Sequence, residues 1–200
     1  MKTIDARALA CPAPVVKARA AIAALPPSGG LVKILVDNVL AAENLERMSA
    51  AADYHTTRET EGEGIWAVTI TVSEEHAAPV GTAAPNGPSP DLVVAIGSAA
   101  MGQGSDELGE ILIKSFLYTL SALDTPPNIL LLFNSGATLA VSSGNTVADL
   151  QTLAERGTRI LICGTCADYY DIRDKLGAGE LVSMFEIVTE MQQADRLISL

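Results

Sequence analysis

The chain has 200 residues, of which 48% are hydrophobic and 18% are charged, so it has enough apolar surface to fold and lacks the composition of a disordered protein. Its formal net charge of −11 disfavours nucleic-acid binding, because an acidic surface repels phosphate groups and no Lys/Arg-rich segment offsets it. An odd number of cysteines argues against a disulfide framework, and the longest run of large aliphatic and aromatic residues, 129–133, is far shorter than the ~20 residues of a membrane-spanning helix.

Residues 1–72 are predicted to form a first α/β domain. Apolar residues recur at helical spacing over 12–24, whereas 65–72 alternates as a strand does. The predicted elements, in chain order, are strand Lys2–Asp5, helix 12–24, strand 31–36, helix 40–52 and a hairpin of strands 54–60 and 65–72. This β-α-β-α-β-β order predicts a two-layer sandwich, with both helices on one face of a single sheet.

Residues 73–90 are predicted to be a linker. The segment holds four of the ten prolines of the chain and has no apolar periodicity. About 18 residues of this kind would span tens of ångströms and keep two tethered domains at a millimolar effective concentration.

Residues 91–200 are predicted to form a second domain in which strands and helices alternate. The predicted elements are strand Leu92–Ile96, helix 105–123, strand 128–133, helix 147–156, strand 158–163, short helices near 169–175 and at Met184–Gln193, and strand 196–200. This order predicts a parallel-sheet, three-layer α/β domain. In such sheets, ligands and chemistry collect at the carboxyl ends of the strands.

The strongest local signal for chemistry is Cys11-Pro12-Ala13-Pro14, between the first strand and the first helix. Proline is tolerated in the first turn of a helix, where backbone N–H groups have no partner, so Pro12 and Pro14 stiffen the start of the helix without breaking it. We expect Cys11 at the N-cap, where the positive end of the helix dipole lowers a thiol pKa and favours the nucleophilic thiolate. The competing interpretation is that Cys11 is simply a small apolar residue.

The second signal is Cys163-Gly164-Thr165-Cys166, directly after a predicted strand. A C-x-x-C pair permits thiol–disulfide exchange. Zinc is disfavoured because no further pair of ligands has the right spacing, and the pair lies too late in the chain for a thioredoxin fold. We expect Cys163 to be partly buried and Cys166, in the loop beyond the strand, to be the better nucleophile. Two core cysteines near a turn remain an alternative.

Polar loops are predicted after the two preceding strands of the second domain. Gly102 and Gly104 belong to a tight strand-to-helix turn whose third glycine is misplaced for a dinucleotide-binding motif. Asn134, Ser135 and Gly136 follow the next strand. If these loops share one sheet edge with Cys163 and Cys166, they line one pocket.

The first domain resembles the TusA-like sulfur carriers. The resemblance rests on Asp5-x-x-Ala8-x-x-Cys11-Pro12-x-Pro14 and on the element order of residues 1–72, although the family usually has Gly where Ala8 stands. It implies that Cys11 carries sulfur as a persulfide. Arg19 falls where many members carry a basic residue, and Lys17 is a second cation that could support the thiolate.

The second domain resembles the DsrE-like sulfur-relay domains. The resemblance rests on Gly102-x-Gly104, Leu108-Gly109, Asn134-Ser135-Gly136 and the Cys-Gly-Thr-Cys loop with Tyr169-Tyr170. A TusA-like domain followed by a DsrE-like one is the arrangement of the YedF family, which is described as sulfurtransferase-like and linked to selenium metabolism. The resemblance implies a relay of sulfur or selenium from Cys11 to Cys166, and a homo-oligomer formed through the C-terminal domain.

Two other functions stay open at this stage. One is a non-catalytic, redox-sensing or regulatory binding module that uses Cys163 and Cys166; the other is a flavin or nucleotide enzyme, which rests on fold analogy alone. For the carrier, we expect a donor such as a cysteine desulfurase and an unknown acceptor, with neither nucleic acid nor membrane as a partner. We expect no cofactor and no metal, and a cytoplasmic location where the thiols stay reduced.

Overall fold

The computed structural model describes residues 1–74 and 91–200. The chain divides into two compact units, Met1–Ala84 and Pro85–Leu200. Nearly all of the predicted linker, residues 75–90, lies outside the described residues, and the predicted domain boundaries at 72/73 and 90/91 stay a prediction.

The N-terminal unit has the predicted order of elements. These are β1 (Lys2–Asp5), α1 (Ala13–Ala23), β2 (Gly30–Val36), α2 (Val39–Ala51), β3 (His55–Thr60) and β4 (Trp66–Val72). The four strands form one sheet in the order β1-β2-β4-β3, in which β1 and β2 are parallel and the other pairs are antiparallel. Because β1 and β2 run the same way, α1 must cross between them, and its first turn follows the end of β1.

Alternation along β2 explains why both helices lie on one face of this sheet. Val32, Ile34 and Val36 are fully buried, whereas the residues between them are not. The buried set packs in one cluster with Ala18 of α1 and Leu45 of α2. One apolar face covered by two helices is the predicted two-layer sandwich.

The C-terminal unit contains a five-stranded, fully parallel sheet in the order β8-β7-β6-β5-β9. Its elements are β5 (Leu92–Ile96), α3 (Asp106–Ala122), β6 (Ile129–Leu132), α4 (Val147–Glu155), β7 (Arg159–Cys163), α5 (Gly164–Tyr169), β8 (Glu180–Val182), α6 (Met184–Gln193) and β9 (Arg196–Ser199), with 3-10 helices at Asn134–Ala140 and Arg173–Lys175.

Strand β6 shows how the sheet is covered on both faces. Leu130 and Leu132 pack in a cluster that includes residues of α3 and α4. Ile129 and Leu131 point to the other face and pack in a second cluster with Ile187 of α6. A strand that is buried on both faces has a continuous run of apolar residues, and β6 has such a run. Helices cover both faces of the sheet, so the predicted three-layer architecture is confirmed.

The structure differs from the sequence-based prediction at three places in this unit. The predicted helix near 169–175 is divided into α5, which ends at Tyr169, and a 3-10 turn, Arg173–Lys175. Strand β8 and the 3-10 helix Asn134–Ala140 were not predicted. Strand β8 has only three residues, too few to show a period, and it forms by pairing with β7, which lies 17 or more residues earlier in the chain.

Helix α3 is apolar on two sides, as its sequence indicates. Ile113 and Leu117 are fully buried against the sheet. On another side, Leu108, Ile111 and Leu112 are exposed. The core of the unit therefore accounts for only part of the apolar surface of this helix.

Candidate functional site

Cys11 lies between β1 and α1 and its side chain is exposed. Helix α1 begins at Ala13, and Pro12 is its N-cap. Cys11 was predicted to be the N-cap residue, but it lies one residue before it. The physical reason is the proline itself, because a residue that precedes proline is driven out of the helical region of backbone space. Cys11 therefore ends the strand-to-helix connection, at the amino end of α1.

The two prolines lie at the start of the helix, with Pro12 as its N-cap and Pro14 in its first turn. Pro12 accepts hydrogen bonds at its carbonyl oxygen from the backbone N–H groups of Val15 and Val16, at 3.0 and 3.1 Å. Pro14 lies in the first turn, where its missing N–H group leaves no hydrogen bond unmade. A rigid first turn holds the backbone on which Cys11 is mounted.

A cavity of about 180 Å³ lies beside Cys11, between the amino ends of α1 and α2. Most of its lining is apolar, and its residues are Cys11, Pro12, Pro14, Val15, Asn38, Leu40, Ala41 and Asn44. Asn38 has a structural task, because its side chain accepts a hydrogen bond at 2.8 Å from the N–H of Ala41 and so caps α2. Of the two amide side chains that line the cavity, Asn44 is therefore the one that can interact with the Cys11 sulfur.

Asn44 donates from Nδ2 to Sγ of Cys11 at 3.9 Å. Its orientation is set by Arg47, whose guanidinium donates to Oδ1 of Asn44. With Oδ1 engaged by a cation, the NH₂ group of the amide faces the sulfur. This pair was not predicted from the sequence, because Asn44 lies 33 residues after Cys11 and no local pattern connects the two residues.

Lys17 and Arg19, the predicted supporting cations, are exposed and are not among the residues that line this cavity. Lys17 acts on Asp5, whose pKa is lowered to about 2, chiefly by hydrogen bonds from Arg7. Arg19 opposes the effect of burial on Tyr54, which raises the pKa of that phenol. A role for these two cations at Cys11 stays a prediction.

In the C-terminal unit, the ends of β6 and β7 bring Asn134 and Cys166 together. The backbone N–H of Asn134 donates to Sγ of Cys166 at 3.0 Å. The hydroxyl of Tyr170 donates to Oδ1 of Asn134 at 3.2 Å. Ser135 joins this segment to the loop that follows β5, because its Oγ accepts a hydrogen bond from the N–H of Ala99 at 3.1 Å. The expected meeting of loops at this sheet edge therefore holds for Asn134, Ser135 and Cys166.

The two cysteines of the pair differ in burial. Cys163 is only 1% exposed, and so more buried than predicted, because it ends a central strand that pairs with neighbours on both sides. Cys166 is half-buried and lies inside α5, not in a loop. Burial raises the pKa of the Cys166 thiol and the neighbouring Cys163 thiol raises it further, while the Asn134 N–H acts in the opposite direction.

The three predicted pocket glycines have different surroundings. Gly136 is buried, and a Cβ on it would lie 2.3 Å from the carbonyl oxygen of Ile96, so it permits close backbone approach. Gly102 and Gly104 have positive φ angles, 82° and 157°, and open space beside them. No hydrogen bond within residues 1–74 and 91–200 joins these two glycines to Cys166.

In the part of the chain that the structure describes, no group of three or more His, Cys, Asp or Glu side chains is arranged to hold a metal ion. No helix within the same residues is long and apolar enough to cross a membrane.

The fold and its sites define a two-unit α/β protein with a thiol site in each unit. Residues 2–72 match the family described as Sulfurtransferase TusA, and residues 127–200 match the DsrE/DsrF-like family. The TusA match falls within the N-terminal unit and the DsrE/DsrF-like match falls within the C-terminal unit, and each covers less than half of the chain. The two matches confirm the predicted pairing of a TusA-like domain with a DsrE-like domain, and they support a role of the sulfur-carrier or sulfurtransferase kind.

Several solved structures are similar to parts of the chain. The SirA-like protein from Desulfitobacterium hafniense is 38% identical, covers 36% of this chain and 99% of its own, and has a TM-score of 0.36. The YchN protein from E. coli is 18% identical; the match covers 55% of this chain and 99% of YchN, with a TM-score of 0.41. A protein of unknown function from Methanobacterium thermoautotrophicum is 19% identical; the match covers 55% of this chain and 97% of that protein, with a TM-score of 0.42. No curated protein is significantly similar to the chain.

Proposed function

We propose that Cys11 holds sulfur as a persulfide and that Cys166 receives it. The observation that carries this proposal is the exposed Cys11 sulfur beside a cavity of about 180 Å³, with the amide of Asn44 directed at it. A space of this size holds more than one added sulfur atom. An N–H donor near the sulfur favours the anionic form that a persulfide takes. Selenium, carried in the same way, is the alternative cargo.

The transfer step is an exchange between two sulfurs. Cys166, as a thiolate, attacks the outer sulfur of the Cys11 persulfide. A bond forms between that outer sulfur and Sγ of Cys166, and the bond from it to Sγ of Cys11 breaks. Cys11 leaves as a thiolate and takes up from solvent the proton that Cys166 gave to solvent. The product is a persulfide on Cys166 and a free thiol on Cys11.

The test is the intact mass of the protein after incubation with a cysteine desulfurase and cysteine, followed by peptide mapping. We expect the mass of one sulfur atom to be added at Cys11 and then to appear at Cys166. Cys11→Ser should abolish enzymatic loading of both positions, whereas Cys166→Ser should leave Cys11 loaded. Loading of Cys166 that is unaffected by Cys11→Ser would refute the carrier role.

The proposal includes partners and a compartment. TusA-like sulfur carriers receive sulfur from donor proteins, and a cysteine desulfurase is the donor class we propose, with an acceptor still to be identified. All three cysteines are free, which suits a reducing cytoplasm. Fractionation of cells should find the protein with cytoplasmic markers, and recovery in an oxidising compartment would contradict this part.

We also propose that the C-terminal unit self-associates through the exposed apolar side of α3. Leu108, Ile111 and Leu112 are adjacent at helical spacing and are 54%, 55% and 41% exposed. Ile111→Asp should convert an oligomer into a monomer in light scattering. A wild-type protein that is already monomeric would contradict this arrangement.

A redox-sensing module is the second candidate function, and the packing of Cys166 against the cluster that contains Cys163 favours it. Such a module would form a Cys163–Cys166 disulfide in mild oxidant and would take no sulfur from a desulfurase. Sulfur loading at Cys11 would therefore decide against it.

A further inference from the structure

Cys163 and Cys166 lie one helical turn apart at the start of α5. Cys163 immediately precedes the first residue of α5, and Cys166 is the third residue of that helix. Residues three apart on a helical turn lie on the same face. Cys166 packs against the apolar cluster that contains Cys163. A C-x-x-C pair in an α/β setting permits a disulfide between its two cysteines.

Only one of these two thiols can meet an incoming sulfur donor. Cys163 is 1% exposed, while Cys166 is half-buried. A donor would therefore load Cys166 and not Cys163. The Cys166 side chain, whose Sγ becomes the inner sulfur of the persulfide, packs against the cluster that contains Cys163.

We propose that Cys163 is a resolving thiol, which discharges a persulfide on Cys166 by releasing hydrogen sulfide. This inference rests on the proposed function, because it needs sulfur to arrive at Cys166. It assigns to the C-terminal unit a reductive release of the cargo, in addition to receiving it.

The reaction balances without an outside oxidant. The thiolate of Cys163 attacks Sγ of the Cys166 persulfide, forms the Cys163–Cys166 disulfide and breaks the bond to the outer sulfur. The outer sulfur leaves as hydrosulfide and takes up the proton that Cys163 gave up. The two cysteine sulfurs are oxidised by two electrons, and the outer sulfur is reduced by the same two. A small dithiol reductant then returns the disulfide to two thiols for another cycle.

Asn134 holds the sulfur that is attacked. Its N–H group is 3.0 Å from Sγ of Cys166, and its backbone has a φ of 50°, which is uncommon for a residue other than glycine. The hydroxyl of Tyr170 bonds its side chain at 3.2 Å. These contacts fix the position of Sγ of Cys166, so that the outer sulfur of its persulfide is the group that departs.

The experiment uses the full chain with Cys11→Ser, loaded with inorganic polysulfide and then desalted. Polysulfide delivers sulfur directly to Cys166, so the result does not depend on transfer from Cys11. We expect released sulfide and Cys163–Cys166 disulfide to appear in equal amounts while the Cys166 persulfide disappears, with no reductant present. Trapping of sulfide with a bimane reagent and mapping of peptides measure all three.

Cys163→Ala in the same background is the decisive variant. It should keep the Cys166 persulfide and lose sulfide release, and circular dichroism shows whether it is folded; Cys163→Ser provides a second variant with a polar atom in that place. Equal release with and without Cys163, or a stable persulfide beside an intact Cys163 thiol, would overturn the inference. Failure of the proposed function looks different, because desulfurase loading would then be absent while release after polysulfide loading continued.

Discussion

The backbone N–H of Asn134 lies 3.0 Å from the sulfur of Cys166, across the ends of two neighbouring parallel strands. Asn134 begins the segment after β6, and Cys166 lies in the helix after β7. A main-chain donor at this position is fixed by the sheet and cannot rotate away, unlike a side-chain donor. The site at Cys166 is thus more rigidly built than the site at Cys11, where the donor is the side-chain amide of Asn44.

The pH profile of Cys166 alkylation should have its inflection above that of an ordinary thiol. Burial and the Cys163 thiol raise the pKa of Cys166, so the reactive thiolate becomes abundant only at higher pH. Rates of iodoacetamide modification, resolved by peptide mapping, measure the inflection. Cys163→Ala removes one of the two causes and should move the inflection toward lower pH. An inflection at or below the ordinary value in the wild type would contradict this assignment.

Replacement of Asn44 should slow sulfur loading at Cys11. Asn44→Asp replaces the NH₂ donor by a carboxylate that repels an anionic sulfur, and we expect the rate of loading by a desulfurase to fall about three- to tenfold. Asn38→Asp is the matched control, since it also adds a carboxylate to the cavity and keeps the acceptor that caps α2. Equal slowing by both variants would attribute the effect to charge alone and not to the contact with Sγ.

Arg47 should act on Cys11 only through Asn44. Arg47→Ala frees Oδ1 of Asn44, so the amide can turn its oxygen toward the sulfur, and loading should slow in the same direction as in Asn44→Ala. In a double-mutant cycle, Arg47→Ala should add little to the effect of Asn44→Ala, because the residues share one path. Additive effects of the two substitutions would show that Arg47 acts on loading independently.

Gly136 and Gly102 were both predicted to line a pocket, and their substitution by alanine should separate structural from functional roles. Gly136→Ala brings a Cβ into contact with the Ile96 carbonyl and should lower the free energy of unfolding by about 1–3 kcal/mol or more. A Cβ at Gly102 would lie in open space, so the only cost of Gly102→Ala is the positive φ, which is unfavourable for alanine. We expect the free energy of unfolding to fall by about 1 kcal/mol. Urea denaturation of the C-terminal unit measures both, and equal losses would contradict the close approach at Gly136.

The order of strands and helices could be read from the sequence because it depends on local periodicity. Strands Lys2–Asp5 and Leu92–Ile96 and helix Met184–Gln193 have the predicted bounds. The run of apolar residues over Leu92–Ile96 and the helical spacing over Met184–Gln193 are each complete within a short segment. The Cys11-Pro12-Ala13-Pro14 segment is equally local, since the effect of proline on a helix start needs no distant partner. Its exact consequence, the placement of Cys11 before the N-cap, depends on the backbone of one residue pair and was predicted one position off.

Contacts between distant segments depended on the tertiary structure. Asn44 reaches Cys11 only because α1 and α2 pack side by side on one sheet, and Asn134 reaches Cys166 only because β6 and β7 are neighbours in the strand order. Strand β8 and the full burial of Cys163 arise from the same pairing. A sequence repeat reports which face of an element is apolar, whereas the partner of that face is selected by packing of the whole unit.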